Sequence, residues 1–336
     1  MTNFQDAKQL VRSFYSQLDS VTGDASVAVM DEFIADNYLW RGFHPFNEMN
    51  NGAAVAREFW VPLKNALTSM QRRLDIFMAG ANSLDDQGDV WVVSMGHLMG
   101  LFDNEWLGIA PTGKMAMLRY AEFHRVENGK IHETAMYFDI PHLMMQAGLS
   151  PFPPQTGAHL VQPGPMSHDG LMFEEQPAAE GEKTRVAIDY MVGDIKTWRG
   201  GREEPLVDEL RRSWNEDMVW WGPAGIGATY TIERYAEQHS GPFRAGFKDR
   251  IFNGHIARIT EGHFGGFFGW PNLTLIPTGG FMGMPATGKP GDMRVIDLYR
   301  RDGDKLTENW IFIDLLHFWH MQGVDILERM QGVPKT

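Results

Sequence analysis

The chain repeats itself, and this restricts its fold more than any other feature. Thr112-Gly113-Lys114 recurs as Thr287-Gly288-Lys289, an offset of 175. Held without a gap over residues 112–149, that offset gives ten identical pairs among 38 positions, including Arg119/Arg294, Glu133/Glu308, Asp139/Asp314, His142/His317 and Gly148/Gly323. Unrelated segments of average composition would share about two or three. Glu122/Asp297 and Tyr137/Phe312 are conservative pairs in the same register. Upstream, Trp40-x-Gly42 matches Trp220-x-Gly222, Pro62 matches Pro242, and Gly96-His97-x-x-Gly100-x-Phe102 matches Gly262-His263-x-x-Gly266-x-Phe268. The offsets drift between these blocks, as loops of changing length allow. The order of blocks predicts two copies of one unit, residues 1–149 and 184–336. The six prolines of segment 150–183 read as an extended linker between them.

Within a copy, apolar residues at 7, 10, 11, 14, 15 and 18 have helical spacing, and shorter helices are expected over 27–34 and 53–67. The pattern then changes to strands at 74–78, 90–95, 115–126 and 130–138, the last two joined at Glu127-Asn128-Gly129. Asp139 before Ile140-Pro141 reads as a helix N-cap and Gly148 as a C-terminal cap, and Asp314 and Gly323 repeat the pair. Helices first and a curved antiparallel sheet afterwards predict an α+β class.

Charge and composition narrow the partners. A net charge of −13 argues against nucleic acid and against anionic lipid. No apolar run approaches the ~20 residues of a membrane span. The N-terminus lacks the basic-then-apolar pattern of a signal peptide, so a cytoplasmic location is expected. Without cysteine there is no thiolate chemistry and no Cys-based zinc site. His317 and His320, three apart on a helix, find no obvious acidic third ligand, and no metal is expected. Gly108 to Lys114 and Gly283 to Lys289 fit the start of a phosphate loop, but Met115 and Pro290 follow where Ser or Thr is needed.

Leu107-Gly-Ile-Ala-Pro-Thr-Gly-Lys114, then Arg119-x-x-Glu122-Phe-x-Arg125-Val-Glu-Asn-Gly-Lys-Ile131, Glu133 and the Asp139-led last helix resemble the SnoaL-like polyketide cyclases. These belong to the cystatin-like, nuclear-transport-factor-2-like superfamily of cone-shaped α+β barrels. The resemblance covers most of residues 1–149 and, more weakly, 184–330. It implies an apolar small-molecule ligand in each cone and intramolecular aldol or isomerase-type chemistry without metal or organic cofactor. It also implies that the fused pair mimics a dimer within one chain, with a homodimer as an alternative. The family's acid/base aspartate on the last strand falls here on Met136 and Ile311, neither of which moves a proton. The partner position on the preceding strand is Glu122 in one copy and Asp297 in the other, and both remain able to act as a base.

Glu122 and Asp297 are therefore the leading catalytic candidates, with His97 and His263 beside them. The plain alternative for each carboxylate is an outward ion pair with Arg119 or Arg294, and for each histidine a structural role. Trp40, His44, Trp220 and Trp221 are candidate ligand-binding walls, with core filling the competing use; Arg119, Arg294, Met136 and Ile311 complete the expected lining. A non-catalytic carrier of hydrophobic molecules is the alternative to an enzyme, and a division of labour between the copies is a third possibility.

Overall fold

The computed structural model describes residues 4–159 and 161–331. The chain divides into two compact units, residues 1–151 with 166–175 and 325–336, and residues 152–165 with 176–324. Among the described residues, no helix is long and apolar enough to cross a membrane.

The first unit opens with helices α1 (Phe4–Ser20) and α2 (Ala25–Phe33) and strands β1 (Ile34–Gly42) and β2 (Asn47–Met49). A helical run follows: α3 (Gly52–Val55), a π turn (Ala56–Trp60) and α4 (Val61–Ala66). Strands β3 (Leu67–Ala81), β4 (Val90–Phe102), β5 (Met115–Glu127) and β6 (Lys130–Phe138) then lead to helix α5 (Ile140–Gln146). The strand order is β2-β1-β6-β5-β4-β3. The second unit repeats this plan with α6 (Ala178–Thr197), α7 (Leu206–Ser213), β7 (Trp214–Trp221) and β8 (Ala228–Tyr230). Its helical run is α8 (Thr231–Tyr235), a π turn (Ala236–Ser240) and α9 (Gly241–Gly246). The sheet continues with β9 (Phe247–Phe252), β10 (Ala257–Glu261), β11 (Phe264–Pro277), β12 (Gly291–Asp302) and β13 (Lys305–Ile313), and α10 (Leu315–Met321) closes the unit. The last described helix, α11 (Ile326–Met330), groups with the first unit.

The class is α+β as expected, with two differences. Each sheet is mixed and open: β1 runs parallel to β6 and β7 parallel to β13, and neither sheet closes into a barrel. The parallel pairs join the first and last strands of each unit, a long-range pairing that local sequence patterns do not carry. The segment expected to be a linker is also less extended than its prolines suggest. Residues 170–172 exchange backbone hydrogen bonds with Phe77, Ala158 does so with Ala228, and α6 begins at Ala178, six residues before the expected boundary.

Several local devices recur in both units. At the π turns, Val61 N–H donates to the Ala56 carbonyl and Gly241 N–H to that of Ala236, just before Pro62 and Pro242. Proline cannot donate to the helical ladder, so a wider turn there is readily accommodated. The Trp40 ring folds over Gly42, where an added Cβ would come within 2.0 Å of it, and Trp220 covers Gly222 in the same way. Asp139 accepts from His142 N–H at 3.0 Å and Asp314 from His317 N–H at 3.2 Å, the expected N-caps. One element differs. The edge strand β3 is continuous in the first unit, whereas in the second residues 253–256 split it into β9 and β10. Opposite that break, β11 carries a register shift between Gly269 and Leu273, with Pro271 inside it. A proline cannot serve the ladder, and bulges are where strands tolerate it.

Candidate functional site

Glu122 and Asp297 occupy the same place in the two sheets: Glu122 is opposite Met136, and Asp297 is opposite Ile311. Both carboxylates are buried. Their surroundings differ.

In the first unit, Glu122 is the centre of a filled polar network. Tyr15 Oη donates to Glu122 Oε2 at 2.7 Å, and Arg72 Nη1 donates to the same oxygen at 3.0 Å. Tyr15 Oη also lies 2.8 Å from Ser94 Oγ and 2.8 Å from His124 Nε2, while His124 Nδ1 is 2.8 Å from Thr134 Oγ1. Arg72 reaches Asp19 as well, at 2.9 Å, and its guanidinium lies over the rings of Tyr15, Trp60 and Tyr120 at 4.0, 5.3 and 5.1 Å. Burial alone would push the Glu122 carboxyl up, but Arg72, His124 and Tyr15 together hold it below the ordinary carboxylate range. It is therefore an ionised acceptor whose Oε2 takes donors from both Tyr15 and Arg72.

In the second unit the corresponding space is a cavity of about 150 Å³. The register explains the difference. Ser69 and Asp249 share a left-handed backbone conformation, φ 51° and 50°, and the flanking helices align at the same offset of 180. On that alignment, Phe59, Trp60 and Arg72 become His239, Ser240 and Phe252. Across the sheet, Tyr120 becomes Val295. An indole, a phenol and a guanidinium give way to smaller or apolar groups, and the space they filled stays open. Asp297 lines this cavity with Tyr235, His239, Tyr299, Phe267 and Ile311. Asn309 Nδ2 donates to Asp297 Oδ1 at 3.1 Å, and the Tyr299 phenol hydrogen-bonds the same carboxylate. Burial and the nearby Asp297 charge push the phenols of Tyr235 and Tyr299 up, so both stay protonated donors at neutral pH.

The expected histidines do not join these carboxylates. His97 is on β4 opposite Arg119, whereas Ser94 is opposite Glu122; three residues along a strand, His97 is on the other face, where its Nδ1 meets Asp75 Oδ2 at 3.1 Å. His263 is not its counterpart. It lies in the β10–β11 turn with its side chain 45% exposed, beside Glu180 at 3.6 Å, so the Gly-His motif match is fortuitous. The same alternation sets Arg119 on the face opposite Glu122, whose cation is Arg72 instead, and Arg294 reaches Asp314 at 3.4 Å while lying over the Trp270 ring. Trp40 fills core against Phe46 and Phe59. Trp220 stacks on His239 at 3.9 Å and so backs the cavity wall. Trp221, its neighbour on the strand, contacts Tyr230, and His44 lies in the β1–β2 connection. Met136 is buried beside Glu122 on the neighbouring strand, and Ile311 faces the cavity.

Two further histidines face the cavity. Burial, then Arg244, pushes His239 down to about 3; burial, then Arg258 and Lys196, does the same to His255, stacked 3.8 Å from Phe267. Both stay neutral where an unfolded chain takes up protons, near pH 6.5 and below. Stability should therefore fall as pH drops from about 6.5 towards 3, by up to about 1.4 kcal/mol per pH unit per histidine. His239→Phe, which installs the residue of the first unit, should remove one histidine's share. Urea midpoints at pH 7 and pH 4.5 measure it, and an unchanged pH dependence would contradict this assignment.

The mixed sheet wrapped on N-terminal helices, with a carboxylate held inside on a middle strand, defines a nuclear-transport-factor-2-like α+β protein. The SnoaL-like polyketide cyclase family pattern matches residues 10–147 and 273–319, more than half of the chain. The chain belongs to that family. Among solved structures it is similar to a candidate SnoaL-like polyketide cyclase from Jannaschia sp. CCS1, at 18% identity over 45% of this chain and 94% of that one, TM-score 0.35. It is also similar to an NTF2-like protein from Burkholderia thailandensis E264, at 22% identity over 44% and 100%, TM-score 0.33. A third is IdmH, a candidate polyketide cyclase from Streptomyces antibioticus, at 16% identity over 41% and 98%, TM-score 0.32. Comparison with curated protein sequences gives no match.

Proposed function

We propose that the second unit performs cofactor-independent acid–base chemistry on a small carbonyl compound, with Asp297 as the base. The observation that carries this reading is the cavity itself: Asp297 borders open, largely apolar space, while Glu122 at the same position is enclosed by Arg72 and Tyr15. Asp297 takes a proton from the carbon next to the carbonyl, and the C–H electron pair becomes the enolate. Tyr235 and the neutral His239 supply donors toward the developing oxyanion. The Asp297 carboxyl then returns its proton, either to the far carbon of a double bond conjugated with the enolate or to the new alkoxide formed when the enolate attacks a second carbonyl. Isomerisation and aldol cyclisation share the first step. Glu122 serves the folding of the first unit.

Ser240→Trp tests this by restoring the indole that Trp60 provides in the first unit. Wild-type protein should catalyse deuterium incorporation next to the carbonyl of single-ring ketones such as phenylacetone in D2O. The plugged variant should fall to the uncatalysed rate while remaining folded. Equal exchange in both proteins would remove the cavity from the chemistry. Ile311, standing where the family has an acid/base aspartate, favours a second reading, a non-catalytic carrier; that reading predicts binding of the ketone, abolished by the same plug, with no exchange.

A further inference from the structure

The mouth of the second unit's cavity carries uncompensated positive charge. Lys196, Arg244 and Arg250 line the cavity together with Trp198, Phe252 and His255. Arg244 is committed to Glu209. Arg250 donates to the Lys196 carbonyl and lies 4.2 Å over the Trp198 ring, and Lys196 Nζ sits 4.3 Å over Phe252. Among the described residues, neither Lys196 nor Arg250 has a carboxylate partner. The nearby Asp194 is taken by Arg199 and Arg212. Arg202 adds a further cation 5.8 Å over Trp198. Burial, then the charges of Arg244 and Arg202, disfavours the charged form of Arg250. In a chain of net charge −13, this is a local excess of the opposite sign. It is also specific to the second unit, since the residue aligned with Arg250 in the first is Met70.

We infer that the ligand of this cavity is an organic acid: one ring or its equivalent enclosed in the apolar space, and a carboxylate at the mouth between Arg250 and Lys196. A cavity of about 150 Å³ suits this size, since apolar cavities near 150 Å³ hold a molecule such as benzene. A planar guanidinium held on an indole face is a preorganised carboxylate fork, and the ammonium beside it adds a second charge. An arriving anion relieves the repulsion among the clustered cations as well as pairing with them. A neutral ester or amide of the same shape obtains neither. The inference rests on the second unit's cavity being the ligand site, and does not require Asp297 to act as a base.

Calorimetric titration of the full chain with 3-phenylpropanoate and with 3-phenylpropanamide tests it. The acid should bind at least about tenfold tighter than the amide at low salt, with the advantage shrinking as salt is raised. In the double variant Lys196→Gln with Arg250→Gln, acid and amide should bind within about twofold of each other, the amide's affinity reporting that the cavity is intact. Should the double variant fail to fold, Lys196→Gln alone changes an exposed side chain on α6 and should still lose part of the advantage. Equal binding of the two compounds by wild type, binding of neither, or an advantage that survives in the variants would overturn the inference. The two readings fail separately. Acid-selective binding without ketone exchange keeps the anion site and discards the base, whereas exchange on neutral ketones without acid preference does the reverse.

Discussion

Arg72→Met should destabilise the first unit by about 3–5 kcal/mol, the usual consequence of removing one partner from a buried ion pair. Glu122 is 1% exposed and the Arg72 side chain 3%, so water cannot replace the lost donor. The guanidinium also pairs with Asp19 and lies over three aromatic rings, so the variant loses contacts as well as charge. The pH response should change sign. In the wild type, the depressed Glu122 pKa contributes stability that is present above the unfolded value and lost as pH falls through the folded one. In the variant, burial acts without the guanidinium and the folded pKa should rise above the unfolded one. Acidification through about pH 5 should then stabilise the variant relative to pH 7. Adding Glu122→Leu should recover much of the loss, because no buried charge remains unpaired. Urea unfolding at pH 5 and pH 7 distinguishes these outcomes. A loss below about 1 kcal/mol would mean that the network contributes little and that Glu122 is available for other work.

Much of the fold was legible because the relevant signals are local. The helical period of α1, the β5–β6 hairpin at Asn128-Gly129, the aspartate N-caps and the ungapped repeat over 112–149 all lie within short stretches of chain. Strand β1, which carries Trp40, gives no such local signal. Its polar Asp36 and Asn37 obscure the pattern, and its partner β6 lies some ninety residues away. The histidine match failed for a related reason. Gly262-His263 copies the letters of Gly96-His97, but strand alignment is fixed by hydrogen-bond register, and Arg294, the counterpart of the Arg119 that faces His97, falls at the bulge between Gly269 and Leu273, away from His263.

The candidate site was half legible. Both carboxylates were found through the repeat, but their partners were not. His124 follows Glu122 by two residues on a strand, so the period of two alone would have set it on the same face. Arg72 and Tyr15 come from other elements, and only the tertiary fold brings them to Glu122. The contrast between the units was present in the sequence as Trp60 against Ser240 and Arg72 against Phe252. It becomes meaningful once both π turns and both left-handed bulge residues fix the alignment.

Asp297→Asn should reduce ketone α-exchange by about 10²–10⁴, the range expected when a positioned general base is removed. The substitution keeps the shape of the side chain. It removes the negative charge, leaving a carboxamide that cannot accept a proton from carbon at neutral pH. Asn309 Nδ2, 3.1 Å from Asp297 Oδ1, still finds an acceptor in the asparagine carbonyl, so the fold and the cavity should survive. Ligand affinity, measured with 3-phenylpropanoate, should stay equal or rise, because a nearby negative charge has been removed from an anion's site. Loss of exchange with retained binding assigns the carboxylate to the chemical step. The matching substitution in the first unit, Glu122→Gln, should leave exchange per folded molecule unchanged while lowering stability, since Glu122 is buried and its Oε2 already accepts from both Arg72 and Tyr15. Opposite phenotypes at two positions of identical register separate a reactive carboxylate from a structural one. Equal loss in both variants would restore Glu122 as a second base, and full exchange in Asp297→Asn would leave the cavity a binding site only.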